Sequence, residues 1–369
     1  MKLTMKTLCL WSVLLCPVVL SAADVRMNQI QVIGTHNSYH IAPDPAMLKL
    51  IGMTGRNLSQ TLEYTHRPLE EQFTELQMRS IEIDVFADPD GGLFAEPRGQ
   101  GLLAAQNQPT GDDPDPDGEL SEPGFKVLHV QDIDFRTTVR TFRGALQQIR
   151  SWSDEHPQHI PLFVLVELKD QSPSPLLTTP VKFTAPLLDE LDELIRSVLT
   201  EENLITPDFV RGDHATLREA VVKDGWPTLE KTRGRVMFAL DNPGRHRDLY
   251  VSGHPSLVGR VLFATPKQEL DAEAAFFKLN DPVAAFDDIQ RLVREGFIVR
   301  TRADAATEEA RRNDTTRRDR AFASGAQIIS TDFPEPVEKF SEYSVRFPDG
   351  TTIRRNSVNG DGASAELRP

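Results

Sequence analysis

Short runs of apolar, β-branched residues recur along this chain between longer segments of helical period, and this alternation constrains the fold more than any other feature. Strands that alternate with helices pair in parallel and are covered by those helices, which argues against a sandwich. Eight runs read as strands of a (β/α)8 barrel: 30–34, 80–85, 126–130, 162–168, 235–240, 275–279, 297–301 and 327–330. The run 261–265 also has strand character, so the count carries one spare. Between the strands, Phe142, Leu146, Ile149 and Trp152 recur at helical spacing, as do Leu187, Leu188, Leu191, Leu194, Ile195 and Val198. Such stripes are the core-facing sides of outer helices. The arginine- and glutamate-rich stretch 304–323 reads as a solvated helix closed by Gly325.

Residues 1–23 have the layout of an export signal: Lys2 and Lys6, an apolar run from Leu8 to Leu20, then Ser21, Ala22 and Ala23. The run is short for a membrane span and lacks a basic stop-transfer flank. Cys16 follows Leu14 and Leu15 where lipoprotein processing wants a small residue, so lipidation is not expected. Both cysteines, Cys9 and Cys16, leave with the leader, and the remainder has neither disulfide nor thiolate chemistry. The chain is therefore expected to be secreted or periplasmic. Loss of Lys2 and Lys6 takes the formal charge from −14 to −16. So acidic a surface disfavours nucleic acid and anionic membranes, and it favours metal cations.

No later apolar stretch is long enough for a transmembrane anchor. Residues 24–340 are expected to form one barrel domain, interrupted by a long loop at 88–125 near the mouth of the barrel. The aspartates of that loop, Asp112, Asp113, Asp115 and Asp117, resemble a calcium-binding loop only loosely. Residues 341–369 read as a C-terminal extension, with Pro348, Asp349 and Gly350 turning a small hairpin before a frayed tail.

Four places carry chemistry. The run Thr35-His36-Asn37-Ser38-Tyr39-His40 follows the first strand, where barrels gather functional side chains. His36 offers proton transfer and Asn37 a neutral oxygen for a hard cation. In Ser80-Ile81-Glu82-Ile83-Asp84-Val85 the carboxylates lie two apart on a strand and so project to one side. Buried together they need a cation or hydrogen-bond donors, and a metal supplies the compensation. Val127-Leu128-His129 ends another apolar run, and Glu167 interrupts the otherwise apolar 162–168, with Lys169 two residues on and facing the same way. Asn37, Glu82, Asp84 and Glu167 form an oxygen-only set, suited to calcium or magnesium and poorly to zinc. The other six histidines, His66, His156, His159, His214, His246 and His254, lie in polar or Pro/Gly-bearing stretches and are expected at the surface.

This constellation resembles the catalytic barrel of phosphoinositide-specific phospholipase C, most closely its bacterial calcium-dependent branch. The resemblance rests on His36 with Asn37, Glu82 with Asp84, His129 and Glu167, and continues through Val299-Arg300-Thr301-Arg302-Ala303-Asp304 and Ser324 to Asp332. The metal-independent relatives have aspartate after the first histidine and arginine on the second strand; glycerophosphodiester phosphodiesterases have arginine and glycine after that histidine. The resemblance implies a TIM-type barrel of the PLC-like phosphodiesterase kind that cleaves the glycerol–phosphate bond of phosphatidylinositol-like phospholipids. It implies Ca2+ on Asn37, Glu82, Asp84 and Glu167, His129 as general acid, and His36 as base or stabiliser of the phosphate oxygens. Lys169, Asp332 and His40 are expected against substrate, with Asp332 alternatively orienting a histidine. The expected partner is a phospholipid headgroup at a membrane or micelle surface, met by a monomer. The rival readings are a glycerophosphodiester phosphodiesterase and a catalytically silent headgroup-binding barrel.

Overall fold

The computed structural model describes residues 25–53, 57–360 and 367, so the leader-like segment 1–23 lies outside the described residues. Ten strands follow in chain order: β1 (Ile30–Thr35), β2 (Ser80–Asp88), β3 (Gly124–Lys126), β4 (Leu162–Leu168), β5 (Val236–Leu240), β6 (Phe263–Ala264), β7 (Phe276–Lys278), β8 (Ile298–Arg302), β9 (Ile328–Thr331) and β10 (Ile353–Arg355). Eight of them run parallel in the order β6-β5-β4-β2-β1-β9-β8-β7. The end strands β6 and β7 face each other across a seam where Lys278 N donates to Thr265 Oγ1 at 3.1 Å, giving a nearly closed barrel. Apolar residues dominate β4, β5 and the amphipathic helices Phe142–Glu155 and Ala185–Val198, and together they build the principal core. A parallel strand buried on both faces has this near-continuous apolar sequence for that reason.

The register between β1 and β2 depends on one glycine. Gly34 pairs with Ser80, and a Cβ at Gly34 would lie 2.2 Å from the Ser80 carbonyl oxygen. This close approach sets the end of β1 against the start of β2, and thereby places the following His36-Asn37 turn over Glu82.

Two strand expectations are corrected. The run 126–130 is not a barrel strand: β3 is three residues long and pairs antiparallel with the far end of β2, Phe86 opposite Lys126. The barrel position belongs to the spare run, as β6. Short apolar runs do not distinguish a barrel strand from a strip laid against a strand's overhang, since both are buried. Beyond β3 the chain forms a tight excursion, with Val127 N donating to Arg140 O, and a bridge between Val130 and Asp134. The 88–125 segment contains the helix Arg98–Ala105 as well as turns. Its Asp115 carboxylate accepts from Leu120 N, Ser121 N and Ser121 Oγ, so it ties its own turn.

At the C-terminal end a turn does form, with Gly350 N donating to Phe347 O and Phe347 N to Thr351 O. The chain then returns to the barrel, because β10 pairs antiparallel with β1, Ile30 opposite Arg355. Tyr343, Val345 and Phe347 pack with Ile33, Met78, Ile329 and Phe333 in a second core.

Candidate active site

β2 and β4 build the acidic half of the site. Their register sets Asp84 opposite Glu167, and the two-residue period brings Glu82 and Lys169 to the same side. Oxygens of Glu82, Asp84 and Glu167 all lie within 4.8 Å of one another. Two cations already attend them: Arg300 from β8 pairs with Glu82 Oε2, and Lys169 Nζ lies 3.1 Å from Asp84 Oδ2 and 3.4 Å from Glu167 Oε1. Burial pushes the Glu82 and Asp84 carboxyls upward, against Arg300 and Lys169 respectively. Direct contact with Arg300 favours the carboxylate form of Glu82.

The residues fit a hard cation. Asp84 is fully buried, with no hydrogen-bond partner at Oδ1 and only the Lys169 ammonium, at 3.1 Å, beside Oδ2, and Asn37 Oδ1 is likewise buried without a donor. Asn37 is held at φ 46°, with its Nδ2 donating to Tyr64 Oη at 2.8 Å, which commits the amide nitrogen and leaves the oxygen available. Buried oxygens without donors are costly unless something compensates them. Three carboxylates and one amide oxygen are the donor set calcium takes.

The first histidine sits where β1, β8 and β9 end together. Thr35 pairs with Thr331 and Arg302 with Ser330, so His36, Asp332 and Arg302 meet in one corner. His36 Nδ1 lies 2.7 Å from Asp332 Oδ1; Arg302 Nη1 lies 3.1 Å from its Nε2, and Arg302 Nη2 lies 3.0 Å from Asp332 Oδ2. A guanidinium only donates, so Nε2 is the acceptor and the proton is on Nδ1. Burial and then Arg302 lower the His36 pKa to about 3, against the pull of Asp332. Asp332 is itself held well below the usual carboxylate range by His36 and Arg302, although burial opposes this. Its amide donates to Asp304 Oδ1 at 2.9 Å, which anchors the dyad to β8.

The second histidine stands on the excursion after β3. Asp132 at φ 69° turns the chain so that Asp134 comes back beneath His129, with Nδ1 2.6 Å from Asp134 Oδ2. Nδ1 thereby carries the proton toward Asp134 and Nε2 is left for other work. Burial lowers the His129 pKa while Asp134 raises it, and the net shift is downward. The Asp132 carboxylate accepts from Arg98 N and Thr178 Oγ1 at 3.0 and 3.1 Å, and from Thr178 N, tying the excursion to the helix Arg98–Ala105 and to the loop after β4. His129, Gln131, Glu167, Lys169, Asn242 and His246 line a cavity of about 470 Å3.

Comparison with known proteins decides what this arrangement is. A family model described as phosphoinositide phospholipase C, Ca2+-dependent, matches residues 25–357. The chain belongs to this family. It is a phosphoric diester hydrolase of the phospholipase C type. The calcium-dependent phosphoinositol-specific phospholipase C of a Gram-negative Pseudomonas species, in its apo form, shares 14% identity, a TM-score of 0.52 and coverage of 90% of this chain and 96% of its own. Its myoinositol complex gives 13%, 0.53 and the same coverage. The Ca2+-dependent phosphatidylinositol-specific enzyme from Streptomyces antibioticus shares 16% identity, with a TM-score of 0.51 over 84% of this chain and 95% of its own. At such identities these likenesses show the PLC-like phosphodiesterase barrel. No curated protein sequence matches the chain.

In this phospholipase C the expected site residues divide into groups. His36, Glu82, Asp84, Glu167, Lys169 and Asp332 converge through strand ends, Asn37 lies in the turn that Ser38 N ties to the Glu82 carbonyl oxygen at 2.9 Å, and His129 arrives from a loop rather than a strand. Asp332 has both oxygens engaged by His36 and Arg302, the orienting arrangement. His40 is corrected as a substrate contact, because it is 0% exposed and hydrogen-bonded through both ring nitrogens. The surface expectation fails for His66, His159 and His246, which are buried. Sequence reasoning gave no role to Arg300, Arg302 or Asp134. The two arginines were legible, since they repeat on β8 the two-residue spacing of Glu82 and Asp84; Asp134, five residues past His129, had no periodicity to betray it.

Proposed function

We propose that this phospholipase C cleaves the glycerol–phosphate bond of phosphatidylinositol-like lipids, with calcium held by Asn37, Glu82, Asp84 and Glu167. One observation carries the reading: two histidines, each backed by a buried carboxylate, stand beside an oxygen-only donor set in which Asp84 Oδ1 and Asn37 Oδ1 are buried without hydrogen-bond donors. A calcium ion held there would supply positive charge that lowers the pKa of the attacking hydroxyl and offsets negative charge on the phosphate. Transfer of a phosphoryl group to an attacking hydroxyl also needs a base, an acid at the leaving oxygen and fixed positive charge. Asp134 holds the His129 ring so that Nε2 delivers a proton to the departing glycerol oxygen. A depressed pKa makes His129 a ready donor once protonated. His36 keeps its proton on Nδ1 against Asp332, so it takes a proton at Nε2 on the attacking side as Arg302 turns its N–H groups from Nε2 to the equatorial oxygens, and once protonated it shares in steadying them. Lys169, on the cavity wall, is the candidate contact to a phosphate oxygen.

The basic, apolar and small-residue layout of residues 1–23 supports export, and the protein then meets its lipid at a membrane or micelle surface as a monomer. No helix among the described residues is long and apolar enough to cross a membrane. The test is release of headgroup phosphate from phosphatidylinositol micelles, compared with glycerophosphoinositol, with calcium and with chelator. Calcium-dependent turnover of the lipid is expected. Preference for glycerophosphoinositol, or undiminished turnover after exhaustive chelation, would overturn the reading.

A further inference from the structure

His40 is fully buried in the turn after β1 and faces acceptors at both ends of its ring. Its Nε2 lies 2.8 and 3.0 Å from the two oxygens of Asp134, and its Nδ1 lies 3.0 Å from the Tyr64 carbonyl oxygen. A neutral imidazole has a single N–H, so one of these contacts would set a lone pair against a lone pair. Only the imidazolium satisfies both. The Tyr64 ring stacks on His40 at 4.2 Å between centroids and 26° between planes, a contact that favours a cation. A protonated Asp134 could instead donate to Nε2. However, Asp134 also accepts from His129 Nδ1 at 2.6 Å, and His40 with His129 holds it well below the usual carboxylate range although burial opposes this.

We propose that His40 is a permanently charged positioning residue, which neutralises Asp134 so that Asp134 orients His129 without retaining its proton. The inference rests on the reading of His129 as the proton donor. A lone buried carboxylate against an imidazole favours the imidazolium and makes it a poor donor. With His40 as counter-charge, Asp134 keeps the hydrogen bond that points His129 Nε2 away from it, and the electrostatic hold is cancelled. The rings of His40 and His129 lie edge to face, 5.6 Å apart, so the cation also acts on His129 directly. The other charged and titratable groups toward His129 are Glu167, Lys169 and Asp170 from β4 and its end, and His246, paired with Asp170, across the cavity.

The experiment is nitrogen-detected NMR of the histidine rings in the full chain, with His129 assigned by its loss in His129→Asn. In the unmodified protein at pH 8, both His40 ring nitrogens are expected to be protonated; one protonated nitrogen overturns the proposal. In His40→Gln, which keeps a donor to Asp134 without the charge, the His129 midpoint is expected to rise by about one unit or more, roughly tenfold in proton affinity. A midpoint that is unchanged or lower overturns the proposal, and the measurement on the unmodified protein decides if His40→Gln does not fold. The alkaline limb of kcat/KM on phosphatidylinositol micelles is expected to move up with the midpoint. A purely structural loss would lower the rate without moving the limb, and would count against the proposal. Absence of turnover by the unmodified protein would count against the proposed function, while the ring spectra still decide the charge on His40.

Discussion

Calcium should stabilise this protein measurably, and Asp84→Asn should abolish the effect. Three carboxylate side chains, two of them buried, lie within 4.8 Å of one another against two cations, Lys169 and Arg300. Two like charges at that separation repel by on the order of 3 kcal/mol at an effective dielectric near 20. A divalent cation relieves that repulsion in the folded state only, because the cluster exists only when β2 and β4 are in register. At a calcium concentration a hundredfold above Kd, mass action alone contributes about 2.7 kcal/mol. For a chain of this size that corresponds to a rise in Tm of roughly 4 °C. In Asp84→Asn the rise should shrink below about 1 °C, since a charged ligand is gone. The calcium-free variant should be no less stable than its parent, because the substitution also removes a like charge. Scanning calorimetry in chelator, in calcium and in magnesium measures all of this. An unchanged Tm in the parent protein, or a full calcium-induced rise in Asp84→Asn, would refute the reasoning, and magnesium should give the smaller rise.

His36→Ala and His129→Ala should each lower turnover by about a hundredfold or more with folding intact, as expected when proton transfer is lost; near-parental turnover in His129→Ala ends its assignment as acid. Gly34→Ala should destabilise the barrel by several kcal/mol or prevent folding, on the order of other severe core clashes, because its Cβ meets backbone at 2.2 Å. Urea denaturation checks this, and a loss below about 1 kcal/mol would mean that β1 and β2 tolerate a shift. His159, far from the acidic cluster, is buried between Ser153 Oγ and the Ile160 carbonyl, and burial lowers its pKa to about 4. The unfolded chain then binds the proton more tightly. Its contribution is complete above pH 6.5 and is lost as pH falls from 6.5 toward 4, up to roughly 3 kcal/mol. The parent protein should lose more stability over that window than His159→Asn, and parallel pH profiles would count against it.

The legible part of the site was the part written in local geometry. Glu82 and Asp84 project to one side because a strand has a period of two, and the same rule joined Glu167 to Lys169. Applied to β8 it would also have flagged Arg300 and Arg302, charged residues in a strand that is otherwise buried. His129 was found for a partly mistaken reason, since its apolar run lies against the overhang of β2 and not within the barrel.

The alternation of strands and helices, the cluster of oxygen-bearing side chains and the two histidines were legible in the sequence alone, because each depends on residue type and on spacing within one element. Tertiary structure decided the rest. Only the parallel register sets Asp84 against Glu167, and only the convergence of three strand ends gives His36 both Asp332 and Arg302. Only the turn at Asp132 returns Asp134 to His129 and delivers it to His40, ninety-four residues away in the chain. Distances between elements are set by packing and register, and no period along a single segment encodes them.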